Sequence, residues 1–359
     1  MRLAHFHIRQ FRNLRDVELD ACSGVNLITG NNASGKTSLL EAIYYLSHVR
    51  SFRTQHFSDL IQHHTNHFEL FARLHQGNAQ LLPVGIRRSR KVMQFRLNQK
   101  AIKRVADIAA KFPVLAIHPD SYRLITAGPA ERRQFIDWGV FHVEHGFFNA
   151  WRRYKKALSQ RNAAFRAHLP MEQCRLWDRL LDESAAEIDR LRSDYIEKLT
   201  PCLQPLIDNF FPDRELRIEY RRGWSADSDL IDVLQQNLQR DYRQAHTSAG
   251  PHRADLYIRV DGQSAQTGIS RGQQKMLVAL LRLAQARYFS EVNDKPCVLL
   301  YDDLPAELDS GHRSKILQVI RSMRVQLFIT AIEAEQLDLS AWKQKKMFHV
   351  EQGRLRELV

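Results

Sequence analysis

The period of the apolar positions changes repeatedly along the chain, and each change predicts an element. Val25-Asn26-Leu27-Ile28-Thr29 is a short, nearly continuous apolar run of the kind a buried strand requires. Residues 37–46 then place Leu39, Ile43 and Leu46 on one helical face. Residues 68–74, 80–86 and 92–97 alternate apolar with polar side chains and predict half-buried strands joined by polar turns. The run Val114–Ile117 is strand-like again. From 131 to 247 the pattern is mostly helical: Leu176, Leu180, Ile188, Leu191, Tyr195 and Leu199 recur at three, four or eight residues. That repeat is too short for an extended coiled coil, so a compact helical lobe is expected, closing with a strand within 214–224 and a helix over 228–246. Residues 256–262 read as a strand and tight turn, 276–284 as helix, 298–301 as strand, 311–323 as helix and 325–330 as strand. The outline is an α/β protein: a first lobe at 1–130, a helical insertion at 131–247 and a second lobe at 248–359. No low-complexity stretch or internal repeat stands out.

Between the first strand and the first helix lies Gly30-Asn31-Asn32-Ala33-Ser34-Gly35-Lys36-Thr37, a complete G-x-x-x-x-G-K-[ST] phosphate loop in the strand–loop–helix setting that the motif needs. The glycines allow backbone angles closed to other residues, so successive N–H groups can face an anion. The helix adds its positive end, Lys36 reaches the β- and γ-phosphates, and Thr37 holds Mg²⁺. The expected nucleotide contacts run through Ser38.

A phosphate loop does not choose among ATPases, GTPases and kinases. The strand at 298–301 ends in Asp302 and Asp303. A carboxylate at that position is placed to orient Mg²⁺, and we assign this to Asp302; Asp303 stands where a carboxylate would align an attacking water. Upstream, Ser270-Arg271-Gly272-Gln273 opens the helix at 276–284, with Ser270 on the N-cap side and free N–H groups in the first turn. Read alone, this is as compatible with an ordinary capped helix. In a chain that already has a phosphate loop, it suggests one nucleotide gripped from opposite sides by two copies of the protein. Asn293-Asp294-Lys295-Pro296 is not the Asn-Lys-x-Asp base-reading motif of a GTPase.

Composition adds a partner class. The formal charge is +13, and it is concentrated. Residues 86–104 hold eight cations (Arg87, Arg88, Arg90, Lys91, Arg96, Lys100, Lys103 and Arg104) and no acid. Residues 150–166 hold six (Arg152, Arg153, Lys155, Lys156, Arg161 and Arg166), again without an acid and with Trp151 and Tyr154 interleaved. Such runs favour salt-sensitive, sequence-independent binding to nucleic acid. No apolar run approaches the ~18 residues of a membrane span. The opening residues read as a strand rather than a leader, and the cysteines Cys22, Cys174, Cys202 and Cys297 form no C-x-x-C pair. A cytoplasmic protein without a membrane partner is the expectation. His63 and His67 have helical metal-ligand spacing, but no third ligand is obvious nearby.

Ser270-Arg271-Gly272-Gln273 resembles the signature of ATP-binding-cassette ATPases, residues 299–303 their Mg²⁺-binding strand, and Ala306-Glu307-Leu308-Asp309 the loop that crosses their dimer interface. The long separation of Lys36 from Asp302 resembles the split-head branch that includes SMC proteins. Phe11-Arg12-Asn13-Leu14, Leu39-Leu40-Glu41-Ala42-Ile43, Arg50-Ser51-Phe52-Arg53, residues 129–133 and Gly250-Pro251-His252-Arg253 are similar to the RecF family of that branch. The resemblance implies an ABC-type head of two lobes with a helical insertion. It also implies an ATP-dependent homodimer with Mg²⁺, bound where duplex DNA meets a single-stranded gap and assisting RecA loading with RecR and RecO. By the same resemblance Arg12 and Asn13 contact nucleotide, and His118-Pro119-Asp120-Ser121 senses the γ-phosphate. Asp303 replaces the Glu of transporters, and Thr330-Ala331 the Thr-His of many relatives, so slow, DNA-stimulated turnover is expected. A transport-type ATPase subunit is the alternative, disfavoured by the split lobes and the basic runs.

Overall fold

The computed structural model describes residues 1–77, 80–102 and 104–358, so Lys103, counted in the first basic run, lies outside the described residues. Two compact units emerge: Met1–Ser121 with Lys275–Val359, and Tyr122–Gln274.

The first unit contains two six-stranded sheets. One is antiparallel, in the spatial order Leu14–Asp20, Arg2–Phe11, His67–Gln76, Gln80–Ser89, Met93–Leu97, Lys100–Ile102. The other runs Arg354–Leu358, Lys345–Glu351, Val25–Thr29, Val325–Ala331, Cys297–Tyr301, Val114–Ile117, and only its edge strand Arg354–Leu358 is antiparallel. Strands of a parallel sheet are covered on both faces, which is why Val25–Thr29 and Cys297–Tyr301 are buried at every position. The helix Lys36–His48 shares one core with both sheets: Leu39, Leu40, Ile43 and Leu46 join Phe6 and Phe68 of one, and Ile28 and Leu300 of the other. Two buried amides tie this assembly together. Gln326 accepts from Leu3 N–H at 2.8 Å and donates to the Leu3 and Cys22 carbonyls at 2.7 Å each. Asn26 accepts from Cys22 N–H at 2.8 Å and donates to Leu327 O at 3.3 Å. Because the central strands run in parallel, Thr29, Tyr301 and Ala331 all end at one edge of the sheet, the edge where ligands of such sheets bind.

The second unit is mainly helical. Phe147–Arg166 packs against the 33-residue helix Asp178–Phe210, which extends about 50 Å at an α-helical rise. Ile188, Leu191, Tyr195 and Leu199 form its buried stripe as expected. Leu176 does not belong to that stripe: it sits in a 3₁₀ turn before the helix and is 73% exposed, and Leu180 faces outward too. The single helix expected over 228–246 is two, Leu230–Gln236 and Leu238–Gln244, meeting at Asn237. Asn is a natural interruption because its side chain competes for backbone partners. A small antiparallel sheet joins Leu216–Arg221, Asp255–Val260 and Gln263–Ser264. Asp261 and Gly262 make the tight turn, both at positive φ (51° and 78°), as a two-residue hairpin loop requires.

Two fully buried arginines organise this unit. Arg161 donates to Asp178 at 2.7 Å, Asp241 at 2.9 Å and the Thr247 hydroxyl at 2.9 Å, and its guanidinium lies 4.7 Å from the Phe165 ring. Arg192 donates to Asp137 at 2.9 Å and the Pro251 carbonyl at 2.8 Å. Gly250-Pro251-His252-Arg253 closes the structure locally. Gly250 has φ +129°, and a Cβ there would stand 2.3 Å from the Tyr154 hydroxyl. His252 Nε2 faces the Thr247 carbonyl at 3.0 Å, so Nε2 carries the proton and Nδ1 accepts from Tyr154 Oη at 2.6 Å. Burial lowers the His252 pKa to about 4. Among the described residues, no helix is long and apolar enough to cross a membrane.

Candidate nucleotide site

The loop after Val25–Thr29 adopts the conformation its glycines permit. Gly30 (φ +147°) lies so near the Val350 carbonyl that a Cβ would stand 2.3 Å from it, and Gly35 (φ +124°) is pressed against Leu14 and Asn13. Ala33 also takes positive φ, 62°, a position that costs a residue with a Cβ about 1 kcal/mol. Gly35 precedes Lys36–His48 with no side chain capping the helix, which leaves the helix end open for an anion. Lys36 is 7% exposed, and its Nζ donates to the Gly30 and Asn31 carbonyls at 2.5 and 3.0 Å. Burial lowers its pKa, opposed by the charges of Asp303 and Asp302.

Asp302 follows Cys297–Tyr301, two strands away from the loop strand in the parallel sheet. The strand between them, Val325–Ala331, supplies the link. Thr330 Oγ1 donates to Asp302 Oδ1 at 2.8 Å and accepts from Asp303 N–H at 2.7 Å. Thr37 Oγ1 donates to Asp302 Oδ2 at 2.9 Å. A serial distance of 265 residues is thereby closed to one hydrogen bond. Burial pushes the Asp302 pKa up, countered by the bonds from Thr330 and Thr37. Asp303 is held at φ 56°, ψ 43°, at the start of the short helix Leu304–Glu307. Two hard oxygen donors 2.9 Å apart suit a small divalent cation such as Mg²⁺, whose octahedral ligands at about 2.1 Å lie about 3 Å from one another.

These groups line a cleft of about 620 Å³. Its walls include Asn32, Ala33, Ser34, Gly35, Lys36, Thr37, Ser38, Asp302, Asp303 and Thr330, joined by Arg12, Asn13, Arg53, Asp59, Ile61, His63 and Pro119. Gly30 and Asn31 complete the loop itself. Sequence reasoning did not single out Thr330 as a hydrogen-bond link, nor Arg53, Asp59 and Ile61 as cleft walls. It also missed Glu41, a fully buried carboxylate on the phosphate-loop helix, bonded by Arg12 and by the Ser51 hydroxyl. His63 lines the cleft while His67 opens a strand, so the helical ligand spacing of the two is not realised. No cluster of three or more His, Cys, Asp or Glu able to hold a metal occurs among the described residues.

Ser270, Arg271, Gly272 and Gln273 belong to the second unit. Ser270 Oγ accepts from Gln273 N–H at 3.3 Å while Gln273 Oε1 accepts from Ser270 N–H at 2.9 Å, a reciprocal capping box for the helix Arg271–Asn293. Ser270, Arg271 and Gly272 are exposed there.

The model of the RecF/RecN/SMC N terminal domain matches residues 2–356. The DNA replication and repair protein RecF of Thioalkalivibrio sulfidiphilus is 41% identical over 357 residues, 99% of each chain. The chain belongs to the RecF family. The solved recombination mediator protein RecF–ATP of the RecFOR pathway superposes with a TM-score of 0.89 at 26% identity, over 100% of this chain and 98% of that one. An SMC head bound to the C-winged helix domain of ScpA shares the fold, with a TM-score of 0.60 at 14% identity over 100% of this chain and 97% of that one. The α/β head with a helical insertion is therefore the architecture of this chain.

Proposed function

We propose that this protein is an ATP-dependent DNA-binding switch of recombinational repair and replication, working in the cytoplasm. The observation that carries the reading is the Thr37–Asp302–Thr330 chain of hydrogen bonds beside a complete phosphate loop, in a chain matched end to end by RecF proteins. The loop N–H groups of 30–37 and the start of the following helix would cradle the phosphates. Lys36 would hold the β- and γ-phosphate oxygens, Ser38 would add a nucleotide contact, and Thr37 with Asp302 would hold Mg²⁺. Asp303 would orient a water for attack on the terminal phosphate. With a side chain one methylene shorter than Glu and a backbone fixed in the left-handed region, it favours slow hydrolysis.

Ser270, Arg271, Gly272 and Gln273 of a second copy would close the triphosphate from the other side, so ATP drives homodimerisation. DNA is the partner class that the basic surface suits, and a gap junction is the DNA structure that kinship with RecF suggests. On the outer face of the antiparallel sheet, Phe71 is 37% exposed beside Arg73, with Gly85 and then Arg96 across the neighbouring strands. Arg90, Lys91, Arg96 and Lys100 are exposed as well. RecR and RecO, and through them RecA, are the protein partners that this reading entails.

Sedimentation of wild type, Lys36→Met and Ser270→Arg with ATP, with ADP and without nucleotide, each with and without gapped DNA, tests the reading. Wild type should dimerise with ATP alone among these conditions and bind DNA more tightly as it does so, and both variants should stay monomeric. Variants that dimerise and bind DNA like wild type would remove the composite pocket.

A further inference from the structure

The antiparallel sheet of the first unit buries one face, and its other face is sorted by charge. Strand alternation turns Phe68, Leu70, Ala72 and Leu74 into the core and Glu69, Phe71, Arg73 and His75 outward. From Phe71 the register runs one way through His7 to Glu18 on the edge strand, and the other way through Gly85 to Arg96. The edge strand Leu14–Asp20 carries the acids Asp16, Glu18 and Asp20, met by His7, Arg9 and His5. The opposite side is basic: Arg73 on the ring's own strand, and Arg87 and Arg96 on the next two, are exposed. Its acid, Glu69, is shared by Arg87 at 3.4 Å and His67 at 3.6 Å. Between the two sides Phe71 stands uncovered. Arg73 Cζ is 6.0 Å from the ring centre, the outer limit of a cation–π contact. Gly85 keeps the flank of the ring open. It is not at positive φ, and among the described residues an added Cβ would meet only the Arg96 Cβ, at 4.0 Å, so neither backbone nor packing asks for glycine. A strand glycine without a local reason marks a place where something approaches closely. Tyr257 of the second unit is the contrast. It is as exposed as Phe71, but Arg221 lies 4.0 Å over its ring and is itself bonded to Glu219, so that face is already taken.

An open ring among cations suits a polyanion that can lay a flat group on it. Bases stack on aromatic side chains in this way whatever the sequence, because every base has a π-face. In a duplex those faces are already spent on neighbouring bases, so only an unpaired base can use the ring. We propose that Phe71 is a stacking platform for an unpaired base of single-stranded DNA, with Gly85 leaving the space the base enters and Arg73, Arg87 and Arg96 holding the adjacent phosphates. The acids at 16, 18 and 20 repel phosphate, which directs the sugar–phosphate backbone to the Arg87 and Arg96 side. The ring's immediate neighbours are His7 and Gly85 across the strands and Glu69 and Arg73 along its own, not the contiguous apolar patch that a protein partner would bury. The inference rests on the DNA reading above and deepens it: the cations attract either form of DNA, whereas Phe71 favours the single strand.

The test is fluorescence anisotropy of the full chain, with ATPγS and Mg²⁺, against three labelled probes: a dT oligonucleotide, the same backbone with abasic sites in place of its bases, and a duplex. Wild type should bind the dT probe more tightly than the abasic one. Phe71→Ala should weaken the dT probe about tenfold while leaving the abasic probe and the duplex within about twofold. Phe71→Trp should keep the dT affinity, and its added fluorescence should be quenched by the dT probe and not by the abasic one. Gly85→Val places a strand-favouring side chain where there is room for it, so it should melt like wild type and yet copy the binding defect of Phe71→Ala. Equal weakening of all three probes by Phe71→Ala, or no change in any, overturns the stacking site while leaving the DNA reading standing. A change in self-association with dT affinity intact gives the ring to a contact between proteins and overturns it too. A wild-type protein that binds none of the probes overturns both readings.

Discussion

Two stretches of this chain look alike on paper and behave differently in three dimensions. Residues 86–104 and 150–166 are both dense in Lys and Arg and both lack acids. In the first, Arg90, Lys91, Arg96, Lys100 and Arg104 stay exposed. Arg87 pairs weakly with Glu69 at 3.4 Å, and Arg88 turns inward to the Phe57 ring and the Tyr45 hydroxyl. In the second, Arg161 is wholly buried in a bed of two carboxylates, Arg153 pairs with Glu187 at 2.6 Å, and Tyr154 is buried against His252. Arg152, Lys155, Lys156 and Arg166 remain exposed, with Lys155 5.5 Å over the Trp151 ring. The expectation that all six basic residues of 150–166 serve a nucleic-acid face is therefore corrected for Arg161: its acids come from positions 178 and 241, invisible to a local count. A local run of charge reports affinity for polyanions only when the fold brings no opposite charge to it from elsewhere.

The largest effect should separate the two runs outright. Arg161→Ala leaves two buried carboxylates without their cation and should cost about 3–5 kcal/mol, seen as a large fall in the melting temperature of the second unit. Replacing Arg90, Lys91, Arg96 and Lys100 together by Ala should leave melting nearly unchanged. It should weaken DNA binding about a hundredfold at moderate salt and reduce the slope of log affinity against log salt by about 3. If the fourfold variant melted early and Arg161→Ala lost only DNA, the contrast would be inverted.

A smaller effect concerns acid. His252 is held neutral, with a pKa of about 4 caused chiefly by burial, against 6.5 when unfolded. The unfolded chain takes up a proton in that interval and the folded chain does not. This contribution is full well above pH 6.5 and declines as pH falls toward 4, by about 3 kcal/mol. Chemical denaturation across this range should show that decline, and His252→Gln should flatten it. The smallest effect belongs to Arg153→Ala. Its pair is half exposed, so the stability change should stay within about 0.5 kcal/mol, detectable only by comparison with Arg161→Ala in the same denaturation series.

Much of the site was legible because its chemistry is written in consecutive residues. Glycines at 30 and 35, Lys36 and Thr37 must be neighbours for the loop to close, and Asp302 must end a strand. The reciprocal cap of Ser270 and Gln273 is likewise a four-residue device. Thr330 was less legible, because its part depends on strand order: only when Val325–Ala331 lies between the loop strand and the Asp302 strand does its hydroxyl reach Asp302. Glu41 and Arg53 fall in the same class.

From its residues in order, then, the chain declared an α/β phosphate-loop protein, the period of most of its long elements and the identity of the residues that form the loop. Those properties arise from backbone geometry and side-chain chemistry within a few positions. Tertiary structure alone decided which cations are spent inside and how Thr37 comes to lie 2.9 Å from a carboxylate 265 residues away. Burial and pairing are set by whatever the fold delivers from distant positions, and a side chain's charge has no fixed use until its neighbours in space are known.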